Sequence, residues 1–246
     1  MRIRKRKQAE NLQNSDLWSK ADQGEPEAQY EIGYLYAVGN GMPQDFPRAG
    51  EWYKKAAAQG YAKAQFNLGV LYYEGYGIPQ DSAKAREWFE KAAAQGYARA
   101  QFNLGGLYYE GHGAPQDSAK ARKWFEKAAA QGYARAQYNL GVLYYEGHDV
   151  PQDSAKAQEW FEKAAAQGYA TAQLNLGMLY DSGLGVPKDS LRAYMWFSVA
   201  AAHLSGDQQK LAADNRDRLA GGMTPEQIAD ALRLAPAVGP PILTPI

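Results

Sequence analysis

The chain has 246 residues, 27 Lys plus Arg against 27 Asp plus Glu, and no cysteine. Zero net charge argues against a nucleic-acid binder, whose affinity rests on phosphate contacts, and the lack of thiols excludes disulfides and thiolate-held metals. No run of about 18 apolar residues is present, so no membrane-spanning helix is expected.

The chain opens on a basic run, Arg2, Arg4, Lys5, Arg6 and Lys7, which looks like the start of a signal peptide. Gln8, Glu10, Asn11, Gln13 and Asn14 follow it instead of an apolar stretch, so a solvated tail and a cytoplasmic location are expected. Contact with an anionic surface is the functional alternative. Leu17, Trp18 and Ala21 before Gly24 predict an N-terminal capping helix, which closes a first segment, residues 1–24.

From residue 25 to residue 204 the chain repeats itself five times at a period of 36. Gln29, Gln65, Gln101, Gln137 and Gln173 mark it, as do Trp52, Trp88, Trp124, Trp160 and Trp196. Pro43 and Asp45 recur in step as Pro79 and Asp81, Pro115 and Asp117, Pro151 and Asp153, and Pro187 and Asp189. In the second copy, Ala64, Leu68, Leu71 and Tyr72 lie at helical spacing and predict a helix A. Gly75 and Gly77 break it, and Asp81 or Ser82 can cap a helix B that runs through Ala85, Trp88, Phe89, Ala92 and Ala93 to Gly96. A single hairpin cannot bury its apolar face, but stacked hairpins can, so an all-α solenoid is expected. Gly69 lies inside helix A, where glycine costs roughly 0.5–1 kcal/mol relative to Ala. Its recurrence as Gly33, Gly105, Gly141 and Gly177 predicts a close approach there, with the Trp88-type ring as the group admitted.

The stretch AKAQFNLGVLYYEGYGIPQDSAKAREWFEKAAAQG, residues 62–96, resembles the Sel1-like repeat family almost throughout. The resemblance covers residues 25–204. It implies right-handed, tetratricopeptide-like α/α superhelices and adaptor or scaffold roles in bacteria, with helix A lining a concave groove. The tetratricopeptide repeat itself has a period of about 34 residues and fits less well.

Beyond the repeats, residues 205–235 predict two capping helices. Leu211 and Leu219 mark the first; Thr224, Pro225 and Gln227 begin the second with a capping box, and Ile228 and Leu232 give it an apolar face. Residues 236–246, with Pro240, Pro241 and Pro245, read as a proline-rich tail.

Cysteine-rich relatives within the resembled family imply one enzymatic alternative, lactam hydrolysis. It needs a Ser-x-x-Lys pair, in which an amine takes the serine proton, and no serine of this chain has lysine three residues on. An enzyme is therefore not expected. Nor is a cofactor or a metal: His112 and His148 share a loop position, but two histidines are too few for a zinc site, and the Gly-x-Gly turns lack the third glycine of a nucleotide fingerprint. The Asp81 series reads as helix caps, the Gln65 series as buried amides joining repeats, and the Trp88 series as core.

One face of helix A is left over. Lys63, Asn67, Val70 and Glu74 recur as Arg99, Asn103, Gly106 and Glu110, then Arg135, Asn139, Val142 and Glu146, with Glu27, Glu31, Tyr34 and Val38 in the first copy and Asn175 and Met178 in the last. By the resemblance this face lines the groove, with Tyr73, Tyr109 and Tyr145 as its rim. An amide donates and accepts, so the asparagine row suits an extended backbone. The expected partner is a protein or peptide, with no nucleic acid and no membrane insertion.

Overall fold

The computed structural model describes residues 15–147 and 151–235. Among them are thirteen helices and no strand: α1 (residues 15–22), α2 (Pro26–Val38), α3 (Phe46–Ala58), α4 (Ala62–Glu74), α5 (Ser82–Ala94), α6 (Ala98–Glu110), α7 (Ser118–Ala130), α8 (Ala134–Glu146), α9 (Ser154–Ala166), α10 (Ala170–Ser182), α11 (Ser190–His203), α12 (Gly206–Ala220) and α13 (Pro225–Arg233). Each repeat is one hairpin, from α2–α3 to α10–α11. The basic run, both histidine-loop residues His148 and Asp149, and the proline-rich tail lie outside the described residues. The chain divides into two compact units, Met1–Ala121 and Arg122–Ile246.

Local chemistry sets the hairpin. Helix α4 stops at Gly75, whose φ of 75° lets its N–H reach Leu71 O. The chain turns, Asp81 N–H donates to Tyr72 O at 2.8 Å, and the Asp81 carboxylate accepts from Lys84 N–H at 2.9 Å to start α5. That carboxylate also pairs with Lys84 Nζ at 2.8 Å. Hydrogen bonds from Lys84 hold the Asp81 carboxyl below its ordinary range, and those from Lys120 and Lys156 do so for Asp117 and Asp153. Asp45 and Asp189 cap α3 and α11 in the same way.

In the first unit, Tyr53, Ala56, Ala57, Ala64, Leu68 and Leu71 form a buried cluster between α3 and α4. In the second, Phe161, Leu176, Leu179, Phe197 and Ala212 belong to one core. The glycine inside helix A faces this packing, but the ring it admits is phenylalanine, not tryptophan. A Cβ at Gly69 would lie 2.6 Å from Phe89 Cε1; Tyr53 takes the same place opposite Gly33, and Phe197 opposite Gly177. Phe89 is 1% exposed. Its neighbour Trp88 points one residue further around the helix and is half-buried, with Lys91 Nζ 3.9 Å over its ring. Lys55, Lys127 and Lys163 cover Trp52, Trp124 and Trp160 alike, a contact that suits the ring's electron-rich face. Trp196 has Val199 three residues on and is buried in the core.

The buried glutamine series joins successive repeats. Gln65 Nε2 donates to Ala57 O at 3.2 Å, while Gln95, the residue that ends α5, donates to both Gln65 Oε1 and Gly60 O at 2.8 Å. Gln29 repeats this with Ala21 O and Gln59, so α1 stands where a helix B would stand. At the other end Gln209 donates to Ala201 O at 3.2 Å, which makes α12 a sixth helix A in register. In α12 the residues that reach the core are Ala212 and, as expected, Leu219; Leu211, also expected to mark the packed face, is 43% exposed. Thr224 and Gln227 form the expected capping box of α13, but Leu232 points outward.

Candidate functional site

With glutamine, leucine, glycine and phenylalanine taken up by packing, the remaining face of each helix A comes to the surface. In the first unit Lys63 is exposed at the start of α4, its Nζ 5.9 Å from the centre of the Tyr30 ring on α2. Arg99 is exposed at the start of α6, its guanidinium 4.9 Å over Phe66 on α4. Each basic residue thus lies on an aromatic ring of the preceding repeat. Asn67 and Asn103 are half-buried one turn further along. Asn67 is in contact with the Tyr53 hydroxyl, whose pKa is raised by burial and pulled back by that amide. Tyr73 does not stand free at a rim: its hydroxyl donates to Glu110 at 3.4 Å and lies 3.2 Å from His112 Nδ1, joining two repeats. Burial and the Glu110 carboxylate raise its pKa. Tyr109 is half-buried.

In the second unit Arg135 and Asn139 are half-buried on α8, and Tyr145 is exposed at its end. Asn175 is half-buried on α10 and touches the Tyr138 hydroxyl, whose pKa is raised mainly by burial. Met178 is exposed one turn later, and Leu211 of α12 occupies the place that follows Asn175 by one period. Leu211 was not legible as a surface residue, because α12 keeps the marker glutamine but lacks the Leu-Gly-x-Leu-Tyr core of the other copies.

A cleft of about 470 Å³ is lined by Lys188, Leu191, Arg218, Met223 and Gln227, none of them a residue of the face just described. Among the described residues no group of three or more His, Asp or Glu side chains is placed to hold a metal ion. No helix there is long and apolar enough to cross a membrane.

A family model described as the Sel1 repeat matches residues 26–61, 62–97, 98–133, 134–169 and 170–203. The chain belongs to the Sel1 repeat family. Its fold is the all-α repeat solenoid of that family, whose members serve as protein-interaction scaffolds and are non-enzymatic as a rule. A Sel1 repeat protein from Oxalobacter formigenes is 35% identical, over 90% of this chain and 91% of its own, with a TM-score of 0.78. A protective antigen of uropathogenic Escherichia coli strains, with the same fold, is 34% identical over 89% of this chain, with a TM-score of 0.76. This chain spans about half (54%) of that antigen's length. An immunity protein of Pseudomonas aeruginosa, at 22% identity and a TM-score of 0.51, shares the fold alone. Comparison with curated proteins gives no match. Among these Sel1 repeats, the first differs most on the helix-A face: Glu27, Glu31, Tyr34 and Val38 stand where the second has Lys63, Asn67, Val70 and Glu74.

Proposed function

We propose that this Sel1 repeat chain is an adaptor that holds an extended segment of a protein partner against the helix-A face. The observation that supports this reading is a repeated polar set that folding leaves at or near the surface. Lys63 with Asn67 and Arg99 with Asn103 lie exposed or half-buried on α4 and α6, whereas Gln65, Leu68 and Gly69 of the same helix are buried. A row of amides can pair with peptide groups of any sequence, and the basic residues add a preference for acidic side chains. Such exposed ion pairs are worth about 0–1 kcal/mol each, so backbone bonds and contacts with Tyr109 and Tyr145 carry the rest.

Capture of the partner from native cells tests the proposal. Asn103→Ala with Asn139→Ala weakens recovery while the helical melt stays nearly unchanged. Arg99→Glu with Arg135→Glu weakens it further, and more so at low salt, where screening is weaker. Full recovery with both double variants at equal folded concentration would move the binding site off this face. A nitrocefin assay on the purified protein tests the lactam-hydrolysing alternative, and intact nitrocefin is the expected result.

A further inference from the structure

The first repeat presents a different chemistry from the repeats that follow. On α2, Glu27, Glu31, Tyr34 and Val38 share one face at spacings of four, three and four residues. Tyr34 is 44% exposed and Val38 is 47% exposed. The Tyr34 ring stacks on Tyr30 at 6.4 Å between centres and 24° between planes. Behind them, Tyr30 leans on Tyr61 at 5.4 Å and on Tyr53 at 5.9 Å. The result is a wall of four tyrosines with one ring open to solvent.

Two carboxylates border that wall. Both Glu27 and Glu31 act electrostatically on the Tyr61 phenol, so their charges converge on the tyrosine cluster. Among the described residues neither is in an ion pair. One cation, Lys63 Nζ, sits 5.9 Å from the Tyr30 ring and beside the Tyr61 hydroxyl. It is thus engaged with the tyrosines, and among the described residues no cation lies over the Tyr34 ring. Burial above all, with Glu31 and the other tyrosines, pushes the Tyr30 phenol up to about 12, so this ring stays neutral near pH 7.

An open aromatic face with unpaired carboxylates beside it is the environment that a planar cation requires. A guanidinium stacks on the ring and offers its N–H groups to carboxylates in the same plane; an ammonium, more strongly hydrated, meets the first requirement less well. In the second and third repeats the place of Glu27 is held by Lys63 and Arg99, so the carboxylate pair occurs in the first repeat and not in these two. We propose that the α2 face, Glu27, Glu31 and Tyr34 with Tyr30 behind, is a compartment for an arginine side chain of the protein partner, and that it sets the partner's direction along the repeats. The proposal takes from the preceding reading only that the partner lies on the helix-A face. A segment with arginine at one end and acidic residues further along then fits in one direction and not the other.

The probe is N-acetylarginine methylamide, titrated into the full chain with isotope-labelled tyrosines and followed by nuclear magnetic resonance. The expected result is a saturable shift of the Tyr34 and Tyr30 ring signals. The citrulline analogue, equal in shape but uncharged, binds about fivefold or more weakly, as does arginine to Glu27→Gln with Glu31→Gln or to Tyr34→Ala. These positions are at the surface, and an unchanged thermal melt shows that the variants fold. No saturable shift, equal shifts with citrulline, or indifference to the glutamate substitutions would each overturn the proposal. Binding that appears only after Arg2, Arg4, Lys5, Arg6 and Lys7 are replaced by Gln would assign the face to the chain's own basic run and also overturn it. Capture of the partner with the Asn103 and Asn139 variants is read separately, so loss of the arginine site and loss of the groove reading give different patterns.

Discussion

Replacing a glycine inside a helix with alanine ordinarily stabilises by about 0.5–1 kcal/mol, because the unfolded chain loses freedom. Two glycines of the first unit should respond to this change in opposite directions. At Gly106 an added Cβ would meet nothing within 4 Å, so Gly106→Ala should gain that increment in full. At Gly69 the added Cβ would lie 2.6 Å and 2.7 Å from Phe89 Cε1 and Cδ1 and 3.3 Å from Ala85 O. The ring must move, yet it is 1% exposed and packed against Phe66 at 5.6 Å between centres. Overpacking of this kind costs about 1–3 kcal/mol. Subtracting the helical gain leaves Gly69→Ala destabilised by up to about 2.5 kcal/mol. In a chain of this size each kcal/mol shifts the melting temperature by about 2–4 °C. Thermal melts followed by circular dichroism should therefore show Gly106→Ala higher than the parent and Gly69→Ala lower. Phe89→Leu, which shortens the ring's reach, should make the second Gly69→Ala step less costly in a double-mutant cycle. A Gly69→Ala chain at least as stable as the parent would refute the close-approach account of the repeated glycine.

Three further outcomes follow from the same geometry. In urea titrations, Phe161→Ala should cost about 3–5 kcal/mol, as a large buried ring does, and Trp160→Ala clearly less, since Trp160 is half-buried; equal losses would contradict the assignment of the inner ring. The capping carboxyls Asp81, Asp117 and Asp153 have folded pKa values below the ordinary one, so the stability they add is present above the unfolded pKa of about 4 and is lost as pH falls through the folded values. A triple Asp→Asn variant should show a flatter melting-temperature profile below about pH 4 than the parent, and an unchanged profile would count against the linkage. Asp149, outside the described residues, replaces a glycine that is Gly77 and Gly113 elsewhere, with φ of 67° and 70°; Asp149→Gly should be neutral or stabilising by up to about 1 kcal/mol, and a clear loss in its melt would contradict a left-handed turn.

The hairpins were legible because their signals are local. An aspartate cap needs only the next three residues, a left-handed glycine only its own φ, and the 36-residue register repeats both. The buried role of Gln65 was legible from the cost of an unpaired amide. Which of two adjacent rings faces the glycine was not: Trp88 and Phe89 are both apolar and both periodic, and the choice rests on a rotation of one residue about α5. Two features at the chain's ends were hidden for another reason. α1 acts as a half-repeat through a backbone carbonyl, Ala21 O, which carries no side-chain signature, and α12 through Gln209 alone, without the leucine and glycine pattern that surrounds the marker glutamine elsewhere. On the helix-A face, the residues of each copy were readable, but their contacts with the preceding repeat, such as Arg99 on Phe66, depend on how one hairpin leans on the last.

The glutamine contacts between repeats have a consequence for how such a chain changes length. The acceptor, Gln65 Oε1, and the donor that satisfies it, Gln95 Nε2, are 30 residues apart, within one period. Any in-frame insertion of 36 residues therefore brings its own donor and acceptor, wherever in the period the cut is made, and leaves no buried amide without a partner. Termination is the step that needs new chemistry. At the last full hairpin, the place of the donor is held by His203, and Gln173 Oε1 and His203 Nδ1 are both buried without a hydrogen bond. A gene encoding this array can thus grow by unequal crossing-over with little penalty at the new junctions, whereas moving the terminus to another hairpin requires its closing residue to be adapted afresh.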